Sequence, residues 1–106
     1  MAFDVGLMER IHETLADEPG LSHRRLFGGY GFWVDGNMCA AVHGDHLMAR
    51  IPADESDHYL ALPGVEPFPK PMKSWVLVAQ DLIAEDEELR IWLERGLVLA
   101  RALPPK

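Results

Sequence analysis

The sequence predicts an α+β fold, a two-layer molecule with helices on one face of an antiparallel sheet. Three observations predict it. Stretches at both ends repeat apolar residues at helical spacing. The segment between them holds β-runs joined by Asp35-Gly36, the turn chemistry of a type I′ hairpin. A second turn at Gly44-Asp45 carries glycine first, as a type II′ turn prefers. The expected order is α-β-β-β-α-β(-β)-α.

The first helix is expected over Phe3 to Asp17, where Val5, Met8, Ile11 and Leu15 recur between Glu9, Arg10, Glu13 and Thr14. Pro19-Gly20 ends it, because proline restricts the residue before it and glycine accepts the left-handed conformation. Leu21 to Arg25 then reads as a short connection. A three-stranded meander follows, over about Leu26 to Val34, Asn37 to His43 and His46 to Ile51.

Two-residue loops fix the cross-strand neighbours. One face should carry Trp33, Met38 and Ile51, then Gly31, Ala40 and Ala49, then Gly29, Val42 and Leu47. It is wholly apolar, and its glycine-alanine stripe would let a helix lie close, so it is assigned to the core. The other should carry Phe32, Cys39 and Arg50, then Tyr30, Ala41 and Met48, then Gly28, His43 and His46. A slip of one residue would exchange the two.

Pro52 to Leu62 reads as a short second helix with acids in its first turn, stopped by Pro63-Gly64. Val65 to Met72 contains Pro67, Pro69 and Pro71 and is confined to an extended edge or loop. Lys73 to Val78 reads as a strand. The last helix runs from about Glu85 to Ala102, with Asp86, Glu87 and Glu88 first and Arg90, Arg95 and Arg101 later, as the helix dipole prefers. Its buried stripe is Leu89, Trp92, Leu93, Leu97 and Ala100, and Leu103 to Lys106 is the tail.

At 106 residues the chain is read as one domain, 1–106, of a size that buries roughly 65% of its unfolded surface. Ten basic against 17 acidic side chains leave a formal charge of −7. That field is opposite to the one that releases phosphate counterions, so the charge argues against direct nucleic-acid binding. The single cysteine, Cys39, excludes an intramolecular disulfide and fits a reducing compartment. The Met1-Ala2-Phe3-Asp4 start is not a signal peptide, and no apolar run reaches the ~18 residues of a membrane span. A soluble, cytoplasmic protein with no membrane role is expected.

Motifs of chemistry are sparse. Gly28-Gly29-Tyr30-Gly31 is followed by a strand, whereas phosphate loops need a helix N-terminus there. Close packing or a bulge explains the glycines better. His43 and His46 face each other across a turn, half of a zinc site without a third ligand, so no metal is expected. Cys39 reads as a buried, inert thiol. Ser22, Ser56 and Ser74 lie in no nucleophile motif. The acids between Asp81 and Glu88 lack the spacing of a calcium loop. Aromatic residues with arginine are usual interface anchors, so Tyr30, Phe32, Met48 and Arg50 are the candidate interaction surface.

Phe27-Gly28-Gly29-Tyr30-Gly31-Phe32, Val34-Asp35-Gly36-Asn37-Met38, Leu47-Met48-Ala49-Arg50, Pro67-Phe68, Met72-Lys73-Ser74-Trp75 and Leu89-Arg90-Ile91-Trp92-Leu93 together resemble the TfoX (Sxy) N-terminal domain family. The resemblance covers nearly the whole chain, in order. It implies the secretion-chaperone-like arrangement α-β(3)-α-β(2)-α. Two-domain members regulate bacterial competence genes with a cyclic-AMP receptor protein and add a C-terminal helical domain. This chain stops at Lys106, so a stand-alone domain is expected. The resemblance brings no catalytic residues and a bias toward protein-protein regulation.

The expectation is therefore a non-enzymatic regulatory domain without a cofactor, binding protein partners or forming a homodimer. The alternative is a small-molecule-binding domain or minor enzyme with a ligand site near Gly28, Gly29, Tyr30 and Lys73.

Overall fold

The computed structural model describes residues 3–26, 28–69 and 72–106. Met1, Ala2 and Phe27 lie outside the described residues, as do Lys70 and Pro71 of the proline-rich segment. Helix α1 spans Val5–Leu15, and the Asp4 carboxylate caps it by accepting from the Leu7 N–H at 2.9 Å. Strands β1 (Leu21–Leu26), β2 (Gly29–Val34), β3 (Asn37–His43) and β4 (His46–Arg50) follow. A 3₁₀ turn at Ala53–Glu55 leads into the short helix α2, Ser56–Leu60. Strands β5 (Val65–Pro67) and β6 (Trp75–Val78) and a 3₁₀ turn at Gln80–Ile83 lead to α3, Asp86–Arg101. A reciprocal capping box between Glu85 and Glu88 starts α3.

The six strands form one antiparallel sheet in the order β1-β2-β3-β4-β6-β5. The α+β class and the three helices stand as predicted. The strand count before α2 does not: Leu21 to Arg25 is no connection but most of a sixth strand, paired with β2 from Leu21↔Val34 to Leu26↔Gly29. Its Ser-His-Arg-Arg centre is exposed and shows no apolar alternation, so pairing with β2 rather than its own pattern makes it a strand.

Both turns form as their residues dictate. Asp35 and Gly36 have φ of 52° and 83°, the doubly positive signature of type I′, whereas Gly44 alone is positive at its turn, with φ of 61°. The tail docks on the first turn: Asn37 Nδ2 donates to the Pro104 carbonyl at 3.0 Å, and the Lys106 N–H to the Asp35 carbonyl at 2.8 Å.

The main core lies between the sheet and the helices. Leu7, Ile11 and Leu15 of α1 and Leu89, Leu93, Leu97 and Ala100 of α3 cover Phe32, Val34, Ala40, Val42, Leu47, Ala49, Val76 and Val78. Full burial of each large side chain contributes about 1.5–3 kcal/mol. The predicted faces survive on β3 from Ala40 onward and at Leu47, Met48 and Ala49 of β4. They exchange on β2 and at Met38 and Cys39, the first of which packs on the outer cluster and the second in the main core. The register runs Phe32↔Ala40 and then Trp33↔Met38, which leaves Cys39 as the extra residue of a β-bulge. Phe32 and Tyr30 therefore belong to the helix-facing cluster, while Trp33 lies opposite Met38, which packs on the outer cluster.

The close approach of helix and sheet has a different source from the one expected. On the inner face only Ala40 and Ala49 of the small-residue stripe remain, and Gly96 of α3 completes the contact. A Cβ at Gly96 would sit 2.2 Å from the Cys39 carbonyl oxygen, so the helix rests directly on the bulge.

Candidate functional site

The sheet face turned away from the helices carries a second, smaller cluster. Ala41, Met48, Trp75 and Leu77 are buried there, and Met38 and Phe68 pack against them. Register places them together: Ala41 pairs with Met48, Met48 with Leu77, and Arg50 with Trp75. Phe68 reaches the face from the segment after β5 and meets His43 edge-on, with ring centroids 5.3 Å apart. Between that segment and the start of β2 lies a groove of about 360 Å³ lined by Leu26, Gly29, Met38, Met48, Phe68 and Met72.

Two arginines flank this face without ion pairs among the described residues. The Arg24 guanidinium lies 4.3 Å from the Trp33 ring centroid, and that of Arg50 lies 5.2 Å from the Trp75 ring. Arg50 also donates to the Met38 carbonyl at 2.6 Å, and burial lowers its pKa from the ordinary arginine value. His46 sits between Asp45, at 2.7 Å, and Glu66, at 3.5 Å. His43 and His46 do pair across the turn, as expected.

The predicted interaction set divides between the two faces. Met48 lies on the outer face with Leu77, and Arg50 pairs with Trp75 at the end of β4. Phe32 is fully buried under the helices, and Tyr30 is half-buried there, its hydroxyl 2.7 Å from His23 Nδ1 and its ring against Phe3. The bulge at Cys39 separates the four residues. The outer-face members missed in the sequence are Arg24, Trp33, Met38, Phe68 and Met72. The clue to Arg24 is the Leu21-to-Leu26 stretch itself, six residues without glycine or proline, long enough for a strand; the bulge that places Trp33 and Met38 has no such signal.

The predicted ligand set is also dispersed. Gly28, with φ of 70°, belongs to the β1–β2 connection and has open space where a Cβ would stand. Gly29 borders the groove and faces the Val42 carbonyl so closely that a Cβ would come within 2.2 Å of it. Lys73 lines a neighbouring depression of about 280 Å³ with Ser56, Asp57, Phe68 and Met72. Phe68 and Met72 form the wall between the two. Tyr30 is on the other side of the sheet.

Elsewhere the helix arginines are paired or stacked. The cleft between α1 and α3 holds Arg10 paired with Asp86 at 3.2 Å, and Arg90 between Glu87 and Glu94. Arg95 lies over Tyr59 and Trp92, at 4.9 and 4.7 Å from the ring centroids. Among the described residues no three His, Cys, Asp or Glu side chains are placed to hold a metal ion. The Cys39 thiol is buried, which pushes its pKa up to about 11, and it donates to the Phe32 carbonyl. No helix among the described residues is long and apolar enough to cross a membrane.

Residues 13–100 match the family model described as the TfoX N-terminal domain. The chain belongs to the TfoX N-terminal domain family. The matched span takes in every strand, α2 and all but the last residue of α3, so both the sheet and its outer face lie within the family domain. A search of curated proteins and a search of solved structures return no match.

Proposed function

We propose that this TfoX N-terminal domain is a non-enzymatic, cytoplasmic regulatory module that binds a partner protein through the outer sheet face. The observation that carries the reading is the composition of that face. Tryptophan, methionine, phenylalanine and arginine surround a formed apolar groove. Those residue types are the ones enriched at protein interfaces, and methionine adapts to a partner's shape. The formal charge of −7 favours a protein partner over a nucleic acid.

The test pairs solution mass with partner capture. Wild type and Met38→Glu are weighed by light scattering over a dilution series, then used as bait for a defined partner. A monomer whose capture fails in Met38→Glu supports the reading. Capture that survives Met38→Glu contradicts it, and a dimer split by Met38→Glu assigns the face to a second copy.

A second reading rests on the depression beside Lys73, where an apolar floor of Phe68 and Trp75 meets Ser56, Asp57 and Lys73 at the rim. A small anionic metabolite with an apolar body suits that combination. A metabolite panel that raises the melting temperature of wild type and not of Lys73→Ala supports it, and a panel without any shift removes it.

A further inference from the structure

We propose that β1 is an addition site for an extended acidic segment of a partner protein, an inference that rests on the interaction-module reading and names a second contact for it. The sheet is open and has two edges, β1 and β5. They differ in kind. Edge β5 is three residues long and ends in Pro67, which blunts it. Edge β1 is six residues long and has no proline.

Among the described residues β1 makes no backbone hydrogen bond beyond its β2 ladder except from the Leu21 N–H to the Glu18 carbonyl. In an antiparallel strand alternate residues direct both N–H and C=O to one side, so the far side of β1 presents paired donors and acceptors to an incoming strand.

Charge selects the occupant. β1 reads Leu-Ser-His-Arg-Arg-Leu, two arginines and a histidine with no acid, in a chain whose formal charge is −7. Arg24 pairs with Gly31 and Arg25 with Tyr30, so their side chains leave opposite faces of the sheet. Neither makes an ion pair among the described residues. The Arg24 guanidinium lies back over Trp33 at 4.3 Å and that of Arg25 over Phe3 at 5.6 Å, so among the described residues both are held over rings on the faces of the sheet.

An added strand therefore meets a cation on each face at adjacent positions, and two consecutive acidic residues satisfy both. A second copy fails the same test. β1 holds no acid, so antiparallel β1–β1 pairing gives Arg24 and Arg25 no carboxylate in any register, and centred on Arg24 it sets like charges directly opposite, which destabilises a sheet. The residues that keep two copies apart admit an acidic strand.

The probe is an eight-residue threonine-valine peptide with two adjacent glutamates at its centre, read by fluorescence anisotropy and by amide exchange across residues 22–26. Binding to wild type is expected, with slowed exchange in β1. Affinity should fall about tenfold in Arg24→Glu/Arg25→Glu, the scale of two cross-strand charge pairs turned repulsive. The lysine version of the peptide should then prefer the variant. Methylating the backbone nitrogens of the glutamate peptide should abolish binding to wild type, an arm that does not depend on the variant folding. The proposal is overturned by absent binding, by equal binding of the lysine peptide, or by binding that survives N-methylation. Dimerisation through β1 without peptide, or an oligonucleotide binding there instead, also overturns it. Each of these outcomes leaves the Met38→Glu test standing on its own.

Discussion

At the scale of single residues, Cys39 and Phe32 fix which side chains reach which face. Cys39 is the bulged residue, buried in the main core, and its thiol donates to the Phe32 carbonyl. Burial holds the proton on the folded thiol to about pH 11, against an ordinary value near 9.0. Between those values the folded state binds the extra proton, so rising pH favours the unfolded chain. The stability tied to this group is complete below pH 9.0 and lost by about pH 11. The loss is at most about 3 kcal/mol, at 1.36 kcal/mol per pKa unit. Denaturant midpoints measured across that window should fall more steeply for wild type than for Cys39→Ala, and parallel curves would refute the assignment.

The neighbouring aromatic pair makes a second comparison. Phe32 is fully buried and Trp33 only half so. Phe32→Ala should cost about 3–5 kcal/mol of unfolding free energy. Trp33→Ala should cost less while removing the ring that Arg24 rests on. A larger loss in Trp33→Ala would restore the face assignment read from two-residue turns alone.

At the scale of elements, legibility followed local pattern. Both long helices, both hairpin turns and strands β3 and β4 carry their own signatures in caps, periodicity and positive-φ residues. β1 and the bulge do not. β1 is exposed along its centre and is defined by its partner, and a bulge leaves no mark in composition yet exchanges every side chain beyond it. Two-residue turns alone group Met48 and Arg50 with Tyr30 and Phe32 and put Gly29 and Gly31 in the core; the bulge separates them.

Gly96 sets the element-scale contact between α3 and the sheet. A glycine inside a helix costs about 1 kcal/mol relative to alanine, so it calls for a packing reason. The reason is the Cys39 carbonyl, which a Cβ would approach to 2.2 Å. Gly96→Ala should lower stability by about 1–3 kcal/mol despite its better helix propensity. Equal or higher stability by thermal unfolding would show that α3 does not rest on the bulge.

At the scale of the whole molecule, the two sides of the sheet have separate tasks. The helices close one side over the larger core, and Arg10, Arg90 and Arg101 on them are paired with carboxylates. The other side keeps a small apolar cluster, an open groove and two arginines stacked on rings. A domain built this way can change its partner-facing residues without disturbing the helical core. The most direct measurement places a photo-reactive amino acid at Met38 on the outer face or at Glu94 on the helix surface, in living cells of the source organism. The account predicts a discrete protein adduct from position 38 and none from position 94. Adducts from 94 alone would contradict it and move the interaction surface to the helices.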